Sequence, residues 1–165
     1  MINKEKAVVI YGVNWGRKWG CAGAENAQLQ SITFSNLNNR SYEIKLTTPS
    51  KLLAEDISRP FAIIVNPGEY ELSSFDIRIA TAMDKVKHLE WNNESSDGGS
   101  FKASPGDVVY IGDFGLDCTK KPILWRYYIE ENDFERFVAQ FRKEYKFITN
   151  KDVIYRLFQT NKFGQ

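Results

Sequence analysis

Apolar and polar residues alternate with a period of two along most of the chain, and the period changes near the end. Ile32 and Phe34 alternate with Thr33 and Ser35, and Tyr42, Ile44 and Leu46 with Glu43 and Lys45. Tyr70 and Leu72 alternate with Glu69 and Glu71; Phe75, Ile77 and Ile79 then alternate with Asp76 and Arg78. The inward phase passes from even to odd positions at Ser73-Ser74, which predicts a β-bulge there. Leu89 and Trp91 share a face opposite His88 and Glu90, and Trp125, Tyr127 and Ile129 form a late strand. Residues 7–11 and 108–111 are continuously apolar, the pattern of central strands covered on both faces. About nine short strands separated by polar turns predict a mainly β fold: an antiparallel β-sandwich of about 7–9 strands over residues 7–130. Its core is expected to hold Val9, Phe34, Ile63, Val65, Tyr70, Leu72, Val109 and Ile111.

The period then becomes helical. Phe134, Phe137, Val138, Phe141 and Tyr145 fall on one stripe, with Asn132 as the expected N-cap and Glu135 three residues later. A second short helix is expected after Thr149, turning Val153, Ile154, Leu157 and Phe158 inward. These helices, residues 132–160, form a C-terminal extension packed on the sandwich, and residues 1–165 are read as one domain.

Two of the five prolines stand in matching turns, Asn66-Pro67-Gly68-Glu69 and Ser104-Pro105-Gly106-Asp107, each leading into an apolar run. Pro at the second position and Gly at the third predict a type II turn with positive φ at Gly68 and Gly106. Residues 92–100 read as a polar, glycine-rich loop. Residues 14–28 read as a long irregular connection that carries Trp15, Trp19 and Cys21.

The run Ile63 to Leu72, apolar-x-apolar-x-Pro-Gly-x-Tyr-x-Leu, resembles the central hairpin of prealbumin-like sandwiches such as carboxypeptidase regulatory-like domains. Phe101 through "SPGDVVYIGDF", with the C-terminal helix, is similar to small envelope-associated β-sandwiches of uncharacterised bacterial proteins. The resemblance covers residues 61–80 and 101–145. It implies a sandwich fold and a place in the cell envelope, and it brings no catalytic residue.

Charge narrows the classes of partner. There are 22 basic and 21 acidic residues, for a net charge of +1. No Lys/Arg run exceeds two residues, so the chain offers no basic surface for nucleic acid. No apolar run reaches the ~20 residues of a membrane span. Residues 2–13 fall short of a signal peptide, and Ala7–Val13 is read as a strand. Met1 as an added start after a removed export signal fits a periplasmic or envelope protein; a cytoplasmic protein is the other reading. In the first case Cys21 and Cys118 are expected to pair, in the second to stay as free buried thiols.

Candidate chemistry is sparse. His88 is the only histidine, and it reads as a strand residue on the wetter face, where a general base lacks partners. One His and two distant Cys do not make a zinc site, and no cofactor is called for. Asp113-Phe114-Gly115 spells a kinase metal motif without its companions and reads as a turn. Asp107, Asp113 and Asp117 could gather at one end of the sandwich around Ca²⁺, but read better as solvated turn residues. Glu69 and Glu71 share a strand face, and a carboxylate pair can serve glycoside hydrolysis. Glycines 12, 16, 20 and 23 beside Arg17-Lys18 lack the ending of a phosphate loop. Trp91 reads as core. Trp15, Arg17, Lys18 and Trp19 are the candidate binding surface, with a Cys21–Cys118 bridge as the anchor of their loop. The leading reading is a non-enzymatic binding module of the envelope with a protein or glycan partner. The alternatives are a carboxylate-dependent hydrolase acting on glycans and a cytosolic inhibitor- or immunity-type protein.

Overall fold

The continuous apolar run at the start becomes β1 (Ala7–Asn14), the centre of the first sheet. A computed structural model of the chain describes residues 5–19, 26–47, 58–80, 85–90, 99–117, 123–127 and 130–159. β1 pairs antiparallel with β5 (Ser58–Val65) and parallel with β9 (Val108–Asp117). The far half of β9, residues 113–117, carries β10 (Ile123–Tyr127). The second sheet is built on β3 (Asn26–Asn36) and β6 (Gly68–Ala80), flanked by β2 (Arg17–Trp19) and β7 (Lys85–Glu90). β4 (Glu43–Thr47) adds to β3, and β8 (Ser100–Ala103) adds to β6. The chain is therefore mainly β, two mostly antiparallel sheets with a helix, α1 (Glu131–Glu144), after them.

The unbroken apolar runs 7–11 of β1 and 108–111 of β9 are covered on both faces. One face of the first sheet packs on the second through Val9, Val13, Val109, Ile111, Phe114 and Leu116. The opposite face, with Val8, Ile10, Val108 and Tyr110, is covered by Phe141, Ile148 and the rest of the helical stripe. Phe34 sits at the middle of the inter-sheet core, with Phe101, Phe114 and Phe158 rings at 5.5, 5.6 and 5.7 Å. Of the expected core, Val9, Phe34, Val65, Tyr70, Leu72, Val109 and Ile111 are buried, and Ile63 packs on them part-exposed. The bulge at Ser73 is present: Thr33 pairs with Ser74 and Phe34 with Leu72, leaving Ser73 over.

Neither Pro-Gly turn closes a hairpin. The first leads from β5 in the first sheet to β6 in the second, and the other from β8 in the second back to β9 in the first. Both are corners at one end of the sandwich. The Gly106 amide donates to the Lys6 carbonyl at 2.8 Å, and Lys6 Nζ donates to Asn66 Oδ1. Both glycines have positive φ, 156° at Gly68 and 82° at Gly106. Only the second is a type II turn, closed by Asp107 N donating to Ser104 O at 3.1 Å. The first corner is held instead by the Tyr70 hydroxyl, which donates to Asn66 O at 2.7 Å.

Several expectations are corrected. The second helix is absent among the described residues after 149: Ile154–Tyr155 form β11, parallel to β9 at Val109–Tyr110. β10 leaves that half of the β9 edge vacant, and backbone groups beside an apolar core are better satisfied by a strand than by a separate helix. Arg156 N donates to Tyr110 O at 3.1 Å and Phe158 N to Ile111 O at 2.8 Å; Gln159 and Ser100 exchange two bonds of 2.9 Å. Residues 154–159 thus bond to both sheets and close that side of the sandwich. The helix begins at Glu131 after an extended Glu130, so Asn132 lies inside the first turn and is not the cap. Glu131 and Asp133 there, and Arg142 and Lys143 in the last turn, suit the helix dipole. Asp113-Phe114-Gly115 lies inside β9, not in a turn.

Candidate binding cleft

With the tail joining β9 to β8, the hydrogen-bonded order at the corner end runs β5, β1, β9, tail, β8, β6, β3, β4. Among the described residues the opening in this order falls between β4 and β5. A cleft of about 280 Å³ lies at that seam, lined by Lys6, Tyr42–Ile44, Ile63–Asn66 and Tyr70. Its floor is apolar, with Ile44 and Ile63 packed on the main core. Its rim exposes two large side chains, Ile64 at 59% and Tyr42 at 49%. Isolated exposed apolar residues are ordinary; here two of them stand on the rim of one cleft.

The backbone of the seam has a definite phase. Residues of an antiparallel strand send both backbone groups to one side, alternating along the chain. The Tyr145 hydroxyl, from the end of α1, donates to Pro60 O at 3.3 Å and also bonds the Ala62 backbone. Pro60, Ala62 and, in the same phase, Ile64 therefore face away from β1. Pro60 has no N–H to lose, which suits an edge. On the other wall, Asn36 N donates to Tyr42 O at 2.9 Å, so Tyr42 faces β3 and Glu43 faces the seam.

Electrostatics in the cleft are mild. Lys6 is engaged by Asn66, and Glu43 accepts from Ser35 Oγ at a long 3.4 Å. Burial pushes the Tyr70 hydroxyl above its ordinary pKa; the Asn36 side chain opposes this and Tyr42 adds to it. Glu43 is the one carboxylate among the described lining residues.

A carboxylate elsewhere is more perturbed. Burial raises the pKa of Asp113, against hydrogen bonds from the Tyr110 side chain and the Gly12 backbone. Asp113 lies over Gly12, where a Cβ would stand 2.3 Å from its Oδ1. The extra residue in β9 between Ile10↔Tyr110 and Gly12↔Asp113 puts it on the helix-covered face.

The residues singled out in the sequence are dispersed. Trp15 is 1% exposed and belongs to the inter-sheet core, so it is not part of a loop surface; its position where β1 gives way to β2 carries it between the sheets. The expected irregular stretch 14–28 contains β2 and the start of β3, and Arg17, Lys18 and Trp19 are backbone-paired to Gln28, Ala27 and Asn26. Cys21, Cys118 and Trp91 lie outside the described residues, as does most of the expected 92–100 loop. Asp107 directly precedes β9 and Asp117 ends it, about 30 Å apart at strand rise, so the three aspartates do not gather. Asp107 Oδ2 instead accepts from Arg156 Nη1 and the Ser104 amide, each at 3.1 Å. No metal-holding group of acidic, His or Cys residues occurs among the described residues. Glu69 accepts from Ser100 Oγ at 3.0 Å, and Glu71 pairs with Arg40 at 3.7 Å. His88 is registered opposite Asp76 on the second sheet. Of the cleft residues, Ile63, Val65 and Tyr70 are read from the sequence as core, while Tyr42 and Ile64 sit inside ordinary strand patterns and the edge position that exposes them is a property of topology.

No protein-family model matches the chain, and no curated protein and no solved structure matches it either.

Proposed function

We propose that the chain is a non-enzymatic binding module whose contact site is the β4–β5 cleft. The observation that carries this is an apolar-floored opening rimmed by exposed Ile64 and Tyr42. Two features favour binding over glycan hydrolysis. Among the described residues the cleft is lined by a single carboxylate, where hydrolysis by retention or inversion uses two. Its 280 Å³ also lies just under the ~300–1,000 Å³ of sites that engulf small molecules, and suits one large side chain of a partner. Placement in the bacterial envelope, with Cys21 and Cys118 joined, extends this reading through the resemblance of residues 61–80 and 101–145 to envelope sandwiches. A cytosolic inhibitor-type protein is the reading with free thiols; peptide mass mapping without reduction separates the two. The test of the site is a ligand selection against the full chain, followed by Tyr42→Ala and Ile44→Ala. Binders weakened about tenfold or more by these changes support the cleft; binders indifferent to both place the site elsewhere.

A further inference from the structure

Resting on that reading, we infer that the cleft takes an extended polypeptide segment, which adds as a strand between β4 and β5. The molecule already contains such a segment on its opposite side. Residues 154–159 lie between the sheets, donate to Tyr110 O and Ile111 O of β9, and exchange bonds with Ser100 of β8. They place Phe158 in the core at 0% exposure.

The seam left open among the described residues offers the matching arrangement. Glu43 on β4 and Ile64 on β5 direct their backbone groups toward it, and both line the cleft. Between them Ile44, Ile63 and Val65 provide an apolar seat. A segment entering here would continue the ladders of β4 and β5 and close the order of strands. Backbone bonding would give affinity, and the seat would select one apolar or aromatic residue. The neighbouring edge is guarded. The Tyr145 hydroxyl stands at Pro60 O and Ala62, where a partner's backbone would otherwise bond. Unpaired edges are routinely blocked in such ways against indiscriminate pairing. The guard limits the incoming strand to the corner end, from Ile64 to Asn66. The occupant is thus a short extended peptide with one inward apolar side chain, not a long β-strand.

The test uses the full chain. Random heptapeptides are selected on it, and the best binder is measured by fluorescence anisotropy on wild type, Ile64→Pro and Ile64→Ala. Strand addition predicts loss of about tenfold or more with Ile64→Pro, which removes the outward N–H, and a smaller change with Ile64→Ala. Peptides N-methylated at single positions keep the protein unaltered. Strand addition predicts that methylation weakens binding about tenfold at alternate positions. Uniform tolerance of methylation, with sensitivity to Tyr42→Ala and Ile44→Ala, overturns strand addition and leaves the cleft reading standing. A binder indifferent to every cleft substitution overturns both.

Discussion

Gly68 stands opposite Ala103 in the β6–β8 ladder, and this pairing sets the two Pro-Gly corners side by side. The β-strands entering and leaving them change sheets in opposite senses, so one end of the sandwich is closed twice by the same Pro-Gly sequence, held by different hydrogen bonds. Lys6, bonded to both corners, fixes their spacing and forms one wall of the cleft.

The corner makes Gly68 hard to replace. Its φ is 156°, and a Cβ there would stand 2.2 Å from Asn36 Nδ2. That amide is pinned, because Asn36 Oδ1 accepts from Asn38 N at 2.9 Å and Asn39 N at 3.0 Å. Gly68→Ala is expected to cost about 1–3 kcal/mol in urea unfolding. Gly106→Ala, at φ 82°, is expected to cost about 1 kcal/mol. Unchanged midpoints for both would contradict this account of the corners.

Asp113 gives a pH signature. Its carboxyl titrates near 4 when unfolded and higher when folded, because burial disfavours the charged form. The folded state therefore binds more protons in that interval. The contribution is fully present below the unfolded value and is lost as pH rises through the folded one. Urea midpoints of wild type and Asp113→Asn should diverge across this window, the variant gaining relative stability as pH rises from about 4. Parallel curves would show that the carboxyl is not held as described.

The tail is expected to be structural rather than incidental. Phe158 is fully buried beside Phe34 and Phe114, with rings 5.7 Å away in each case. Phe158→Ala should cost about 3–5 kcal/mol in urea unfolding. Phe147, 46% exposed, is the control, and Phe147→Ala should cost less than about 1 kcal/mol. Equal effects would mean that the tail does not fill the core.

Much of the architecture is legible in the residues. Alternation marks strands because one face must be dry, and the phase change at Ser73 marks the bulge for the same reason. The unbroken runs of β1 and β9 already imply covering on two faces. Other features are not local. Pro67 and Pro105 fix the turns but do not say which sheet the next strand joins. Val153, Ile154, Leu157 and Phe158 have helical spacing, yet a vacant stretch of the β9 edge makes them extended. The apolar run Phe61–Val65 does not disclose that β5 is an edge strand among the described residues, with Ile64 exposed. Trp15 falls where periodicity lapses, because the chain there is passing between sheets.

Strand addition at the β4–β5 seam is tested by amide chemical-shift mapping of the full chain, titrated with the tightest selected peptide. The largest changes are expected at Glu43, Ile64 and Asn66, with Ile64 gaining protection from hydrogen exchange as its outward N–H finds a partner. Changes centred on β7 or on the exposed face of α1, with these three amides unmoved, would contradict it.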